Sequence, residues 1–232
     1  MRYILLPILV LMAAPSLVAA QETNEVADRV VRSAIVLKEI VETPDRSIPQ
    51  DLLDRCKCVA VIPNMMKGAF FFGANYGKGV ISCRIGAGET ASWSAPAMLL
   101  MSGGSFGLQI GGQATDLVLV IMNPSGMDSL LDSKFTLGGD ASVAAGPVGR
   151  NAAAKTDALI GAKILAYSRS KGAFAGLSLN GEAVRSDKNA NFVLYKKDLS
   201  ARDILFKPMA EVPRDAKIFM DQLTKVSPKH VK

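Results

Sequence analysis

The sequence predicts an α+β fold: a predominantly antiparallel, barrel-like β core with a helix at each end. Three observations carry that reading. From Lys57 onward, short apolar or alternating segments follow one another with glycine between them. Their connections are mostly short and few long helical patterns separate them, which favours an antiparallel sheet over a βαβ array. Before and after this block the apolar spacing lengthens to the helical period.

The chain starts with residues that are expected to leave it. Arg2 and the amino terminus form a positive region, 3-YILLPILVLM-12 an apolar one, and Val18 and Ala20 the small-residue pattern before a cleavage point at Gln21. The apolar run is too short, and too broken by Pro7 and Pro15, for a comfortable membrane span. No cysteine follows it to accept a lipid at the new terminus. Residues 1–20 read as a cleavable signal peptide. The remainder, 212 residues (232 less 20), is expected to be exported and periplasmic, with room for one substantial core.

Residues 21–45 are expected to form an amphipathic helix, with the pattern clearest over 24–42. On a wheel of about 100° per residue, Val26, Val30, Ala34, Leu37 and Val41 make one stripe, widened by Ala27 and Ile40. Asn24 can cap the first turn, and Pro44 ends the helix by restraining Thr43. The other side carries Asp28, Arg29, Arg32, Glu39 and Glu42. That mixed sign favours a helix packed on its own domain over one lying on an anionic membrane. A short helix over 49–55 follows, with Pro49 in its first turn.

The β-rich domain is expected over 46–197. Its strand-like segments are 58–62, 69–76, 79–85, 105–112, 116–122, 135–144, 162–168, 173–184 and 191–195. Gly77-Lys78-Gly79 and Asn180-Gly181 are hairpin signals. In 107-GLQIGGQATDLVLVIMN-123, Gly107 to Gln113 reads as one strand and Leu117 to Met122 as its central neighbour, with Asp116 at the turn. Ser125 to Leu131 reads as a turn or two of helix. A helical tail occupies 198–232, with Ile218, Phe219 and Leu223 on one face beyond Pro213.

Composition narrows the function. Lys and Arg number 27 against 21 Asp and Glu, a net charge of +6. The charge is dispersed, without the basic run of a nucleic-acid binder, and aromatic residues are few for base stacking. Anionic phospholipid surfaces are compatible with it. The stretch 73-GANYGKG-79 has three residues where a phosphate loop needs four, and Gly79 follows the lysine. His230, the single histidine, lies near the end of the chain and is a poor base for a Ser-His-Asp or Cys-His arrangement. Asp116 is expected to satisfy turn amides or an arginine sooner than to act as a general base. No catalytic residue, metal or cofactor is expected.

Export makes a disulfide permissible. Cys58 and Cys83 sit in two strand-like segments and are the preferred pair, because Cys56–Cys58 is too local to be a good staple. A Cys-x-Cys beside so little histidine lacks zinc-site spacing.

Four longer phrases carry a resemblance: 59-VAVIPNMMKGAFFFGANYGKGVISCR-84, 92-SWSAPAMLLMSGGSFGLQIGGQATDLVLVIMN-123, 145-AGPVGRNAAAKTD-157 and 167-YSRSKGAFAGLSLNG-181. In this order they resemble the SYLF domain family, and the match covers the chain from Val26 to Tyr195. The resemblance implies lipid or membrane binding, of the phosphatidylinositol type in eukaryotic members, and actin binding in the fungal branch. It brings no established catalytic residues.

The expected function is a non-enzymatic, peripherally membrane-associated lipid-binding protein of the bacterial cell envelope. Its expected partner is an anionic phospholipid or membrane surface, with an envelope protein as a further one. The alternatives are a protein-interaction or scaffold module and, behind it, an envelope hydrolase. The head-group residues singled out are Lys67, Lys78, Arg84, Lys155, Arg169 and Lys171, all in glycine-rich, loop-adjacent positions. For each, the competing reading is a solvated surface charge. Apolar contact is expected from 70-FFF-72 and 98-MLLM-101.

Overall fold

A computed structural model describes residues 14–43, 48–69, 72–86, 91–106, 111–123, 135–138, 142–148, 162–170, 173–176, 179, 181–209 and 211–228. Helix α1 (Ala14–Glu42) precedes α2 (Gln50–Arg55) and the strands β1 (Cys58–Ala69), β2 (Phe72–Ile85), β3 (Ser92–Trp93), β4 (Ala97–Phe106) and β5 (Gly111–Ile121). Strands β6 (Phe135–Thr136), β7 (Val143–Ala145), β8 (Ile164–Ser170), β9 (Ala173–Gly176) and β10 (Ala183–Ser186) follow, and then helices α3 (Lys188–Tyr195), α4 (Ala201–Phe206) and α5 (Arg214–Val226). The sheet runs β6-β10-β4-β2-β1-β5-β8-β7, with β3 joined to β2 and β9 to β8. Only the β7–β8 pair is parallel among the described strands. The fold is α+β, a curled and mostly antiparallel sheet with helices at both ends.

The described part of helix α1 runs from Ala14 through the expected cleavage point, and Asn24 lies inside it instead of capping it. Val26, Val30, Ala34, Leu37 and Ile40 are buried, as the stripe predicts, and Val36 joins them. Their cover is chiefly α5, with β1 and β2 beneath. On α5, Ala216, Phe219 and Leu223 face inward while Ile218 is exposed, which corrects its expected place on the apolar face.

Side chains alternate across the sheet, and one face carries α1. On the other, Gly77 and Gly79 are required to be glycine by close packing. A Cβ on Gly77 would collide with the Ile62 side chain, and one on Gly79 with the Val61 carbonyl oxygen. Gly77-Lys78-Gly79 is therefore not a hairpin turn: β2 runs straight through it. The expected break at Asp116 is likewise absent. Asp116 lies inside β5, paired with Arg169 of β8. The segment 98–101 belongs to β4, and Met98, Leu99 and Met101 are buried core residues, so they are not an exposed contact surface. Of 70–72, only the backbone of Phe72 lies within the described residues.

Residues 191–195, expected as a strand, form the second half of α3. Tertiary contacts override the local pattern here. Asp187 caps the helix by accepting from the Ala190 amide at 3.1 Å. Asn191 Oδ1 accepts from the Met98 amide at 2.8 Å, and the Tyr195 hydroxyl donates to the Pro96 carbonyl at 2.6 Å. These bonds fasten α3 across the start of β4.

Candidate interaction surface

The surface is built where α1, β1, β2 and α3 meet. Strand β1 reaches it through a bulge. Val61 faces Val80 of β2, but Met66 faces Tyr76, so β1 uses one residue more than β2 over this stretch. Pro63 has no amide to lose there. Asn64 takes the left-handed conformation, φ 49°, that the extra residue needs. Beyond the bulge Met65 is fully buried, while Met66 is 66% exposed beside Tyr76 at 47%.

Two open depressions adjoin these residues. The smaller, about 250 Å³, is bordered by Met66, Tyr76, Asn64 and Arg32. The larger, about 450 Å³, lies between Tyr76, Leu100 and the Phe192 side of α3. Both are lined by Glu25 and Lys78, whose side chains meet at 2.6 Å. The hydrogen bond from Lys78 lowers the Glu25 pKa below its ordinary value, against the small effect of burial. Deeper in, Arg29 donates to Asp187 at 2.9 Å with both side chains nearly buried. The apolar rim is therefore set in mixed charge.

Of the expected head-group residues, Lys78, Arg84 and Arg169 have described side chains, and these three are not brought together. Lys78 stands at the rim. Lys67 holds a place in β1 opposite Asn75, its side chain lying outside the described residues. Arg84 stacks over Trp93, 4.3 Å from the ring centroid, and donates to the Ser227 carbonyl at 3.0 Å. It thereby fastens the end of α5, and burial lowers its pKa. Arg169 bonds Asp116 at 2.8 Å and also Glu39 of α1. Burial opposes the Arg169 charge, but the two carboxylates outweigh it and raise its pKa. Lys155 and Lys171 lie outside the described residues.

Met66, Tyr76, Arg32 and Phe192 were not singled out by the sequence. Tyr76 could have been found from β2 alternation, since it shares a face with Lys78. The exposure of Met66 depends on the bulge, and that of Phe192 on a helix read as a strand.

Cys58 and Cys83, facing each other in β1 and β2, form a disulfide, and Cys56 is a buried free thiol. Burial pushes its pKa up to about 12, and it donates to the Leu53 carbonyl. Among the described residues, no group of three or more His, Cys, Asp or Glu could hold a metal ion.

These features define an α+β domain in which helices from both ends pack on a curled, mostly antiparallel sheet. Residues 102–226 match the family model Ysc84, described as Las17-binding protein actin regulator. The chain belongs to this family, that of the SYLF domain. It is 39% identical over 164 residues to LAS seventeen-binding protein 3 of Saccharomyces cerevisiae, covering 69% of this chain and 35% of that protein. Protein YSC84 of the same yeast is 36% identical over 187 residues, 79% of this chain and 39% of the other. SH3 domain-containing YSC84-like protein 1 of Homo sapiens is 32% identical over 191 residues, 80% of this chain and 54% of the other. The chain thus spans between about a third and just over half the length of these relatives.

Proposed function

We propose that this chain is a non-enzymatic binding module that meets an anionic phospholipid surface of the bacterial envelope through the rim beside α1. The observation that carries this reading is the exposure of Met66 and Tyr76, partners in the β1–β2 register, next to Lys78. Apolar side chains enter the interfacial layer while basic ones attract it, at roughly 1 kcal/mol for each cation that reaches the surface. Glu25 and Asp28 offset part of that attraction, so binding is weak and sensitive to salt. Export by the 1–20 leader delivers the domain to that surface. The described buried side chains of α1 begin at Val26, so cleavage before Gln21 leaves them in place.

Flotation with phosphatidylglycerol and phosphatidylcholine vesicles tests the reading. Binding to the first alone at low salt, reduced by Tyr76→Ser or Lys78→Glu, is expected. No binding to either sinks it. N-terminal sequencing of the periplasmic chain should begin at Gln21.

A second reading, a protein-interaction module, is favoured by the family description and by the aromatic pair Tyr76 and Phe192 along the larger depression. Co-sedimentation with filamentous actin, lost in Phe192→Ser while vesicle binding stays absent, would put this reading first.

A further inference from the structure

We infer that Asp116 is a positioning residue for the rim: it holds the β1 bulge and so decides which methionine β1 presents outward. The inference rests on the proposed use of that rim. Strand β5 pairs with β1 on the side away from β2, and there too the register shifts, from Ile62 opposite Leu117 to Met65 opposite Thr115. Asp116 is the β5 residue left between those two pairs, directly across from Pro63 and Asn64. The bulge breaks the ladder locally, so the Asn64 amide needs another acceptor. Asp116 Oδ1 provides it at 2.9 Å. Its second oxygen is held by Arg169, at 2.8 Å from Nε. That fixes the carboxylate's orientation while leaving Oδ1 to the bulge. The sequence supplies what such a bulge requires: a proline without an amide and an asparagine that tolerates positive φ.

The consequence lies in the two adjacent methionines. A one-residue change of register turns every side chain beyond it to the opposite face. With the bulge in place Met65 is enclosed against Gly77, and Met66 stands in solvent beside Tyr76. If the extra residue is absorbed, the two exchange faces. The rim then loses the thioether that stands beside Tyr76.

The test needs no ligand in its first two parts. In the wild-type chain, amide exchange at Asn64 should be slow although the residue is exposed, and dilute peroxide should oxidise Met66 well before Met65. Asp116→Asn combined with Arg169→Gln keeps an oxygen for the Asn64 amide, gives the new amide nitrogen an acceptor in place of the guanidinium donors, and should preserve both behaviours. Arg169→Gln should preserve the Asn64 protection too. Asp116→Ala, checked for cooperative melting, should release the Asn64 amide and make Met65 the more reactive methionine. It should also lower phosphatidylglycerol vesicle binding several-fold, with the Asp116→Asn, Arg169→Gln double variant restoring it. A folded Asp116→Ala protein with unchanged methionine reactivity overturns the inference, whatever the vesicles show. Should Asp116→Ala not fold, fast exchange at Asn64 in the wild-type chain overturns it, and slow exchange retained in the Asp116→Asn, Arg169→Gln double variant supports it. If the exchange and oxidation results hold while wild-type protein binds no vesicle, Asp116 keeps its positioning role and the lipid reading alone fails.

Discussion

Helix α1 is tied down by two neighbouring ion pairs of different kinds. Arg29 meets Asp187 in a seam where the side chains are 5% and 11% exposed, and Asp187 also caps α3. One turn earlier Glu25 meets Lys78 at the rim, where they are 54% and 38% exposed. The distances are similar, 2.9 and 2.6 Å, so contact geometry does not separate the pairs; solvent does. Water already solvates the rim pair, and its separation costs little. Removal of one partner from the seam leaves a largely buried charge that water solvates poorly. The seam therefore holds the architecture, and the rim is free to exchange its partner for another anion.

The largest way to break this contrast is to remove the helix. Deletion of residues 21–42 should abolish cooperative unfolding, because it strips Val30, Leu37 and Ile40 from the core. A folded deletion product would mean that α1 is an appendage. Next comes Arg29→Ala, expected to cost about 3–5 kcal/mol in urea unfolding by stranding Asp187. The Cys58–Cys83 bond supplies a covalent comparison. Its removal by paired serine substitution should cost about 2–4 kcal/mol, and unreduced, denatured protein should titrate one thiol. The smallest effect belongs to the rim. Lys78→Ala should cost under about 1 kcal/mol while weakening vesicle binding. If it costs as much as Arg29→Ala, the distinction between seam and rim is void.

Acidity sharpens the same contrast. Lys78 lowers the folded-state pKa of Glu25 below 4.5. Its stabilisation is therefore present above that unfolded value and is lost as pH falls through the lower folded one. The difference in melting temperature between wild type and Lys78→Ala should shrink over that acidic window. Exposure of the pair keeps the change small.

The α1 stripe was legible because it depends on the 3.6-residue period alone, and so were the α+β class and the strands around Val59 and Val118. Arg29 was not, since its place on the polar side of the wheel gives no hint of a capping aspartate 158 residues away. The strand reading of 191–195 failed for a related reason: Asn191 is held by Met98 of β4 and Tyr195 by Pro96 just before it. Gly77 and Gly79 read as turn signals because glycine marks both a turn and a close approach, and only the neighbouring strand distinguishes them. Arg84 and Arg169 sat in loop-like, glycine-rich phrases, yet one is stacked on Trp93 and the other shared between two carboxylates. Sequence proximity to glycine does not make a cation available. The Asp116 assignment went further: turn amides or an arginine were expected to satisfy it, and it holds one backbone amide and an arginine, at a bulge and not at a turn.

The enclosed thiol of Cys56 lies two residues from Cys58, close enough along the chain to attack the bond to Cys83. Thiol–disulfide exchange requires a thiolate, and a pKa near 12 leaves on the order of one in 10⁵ of these sulfurs ionised at neutral pH. Once Cys56 is buried at the end of α2, the native pairing is insulated from shuffling. Before that, Cys56 is an ordinary competitor. Where the chain oxidises as it folds, early burial of Cys56 at the end of α2 favours the Cys58–Cys83 pairing.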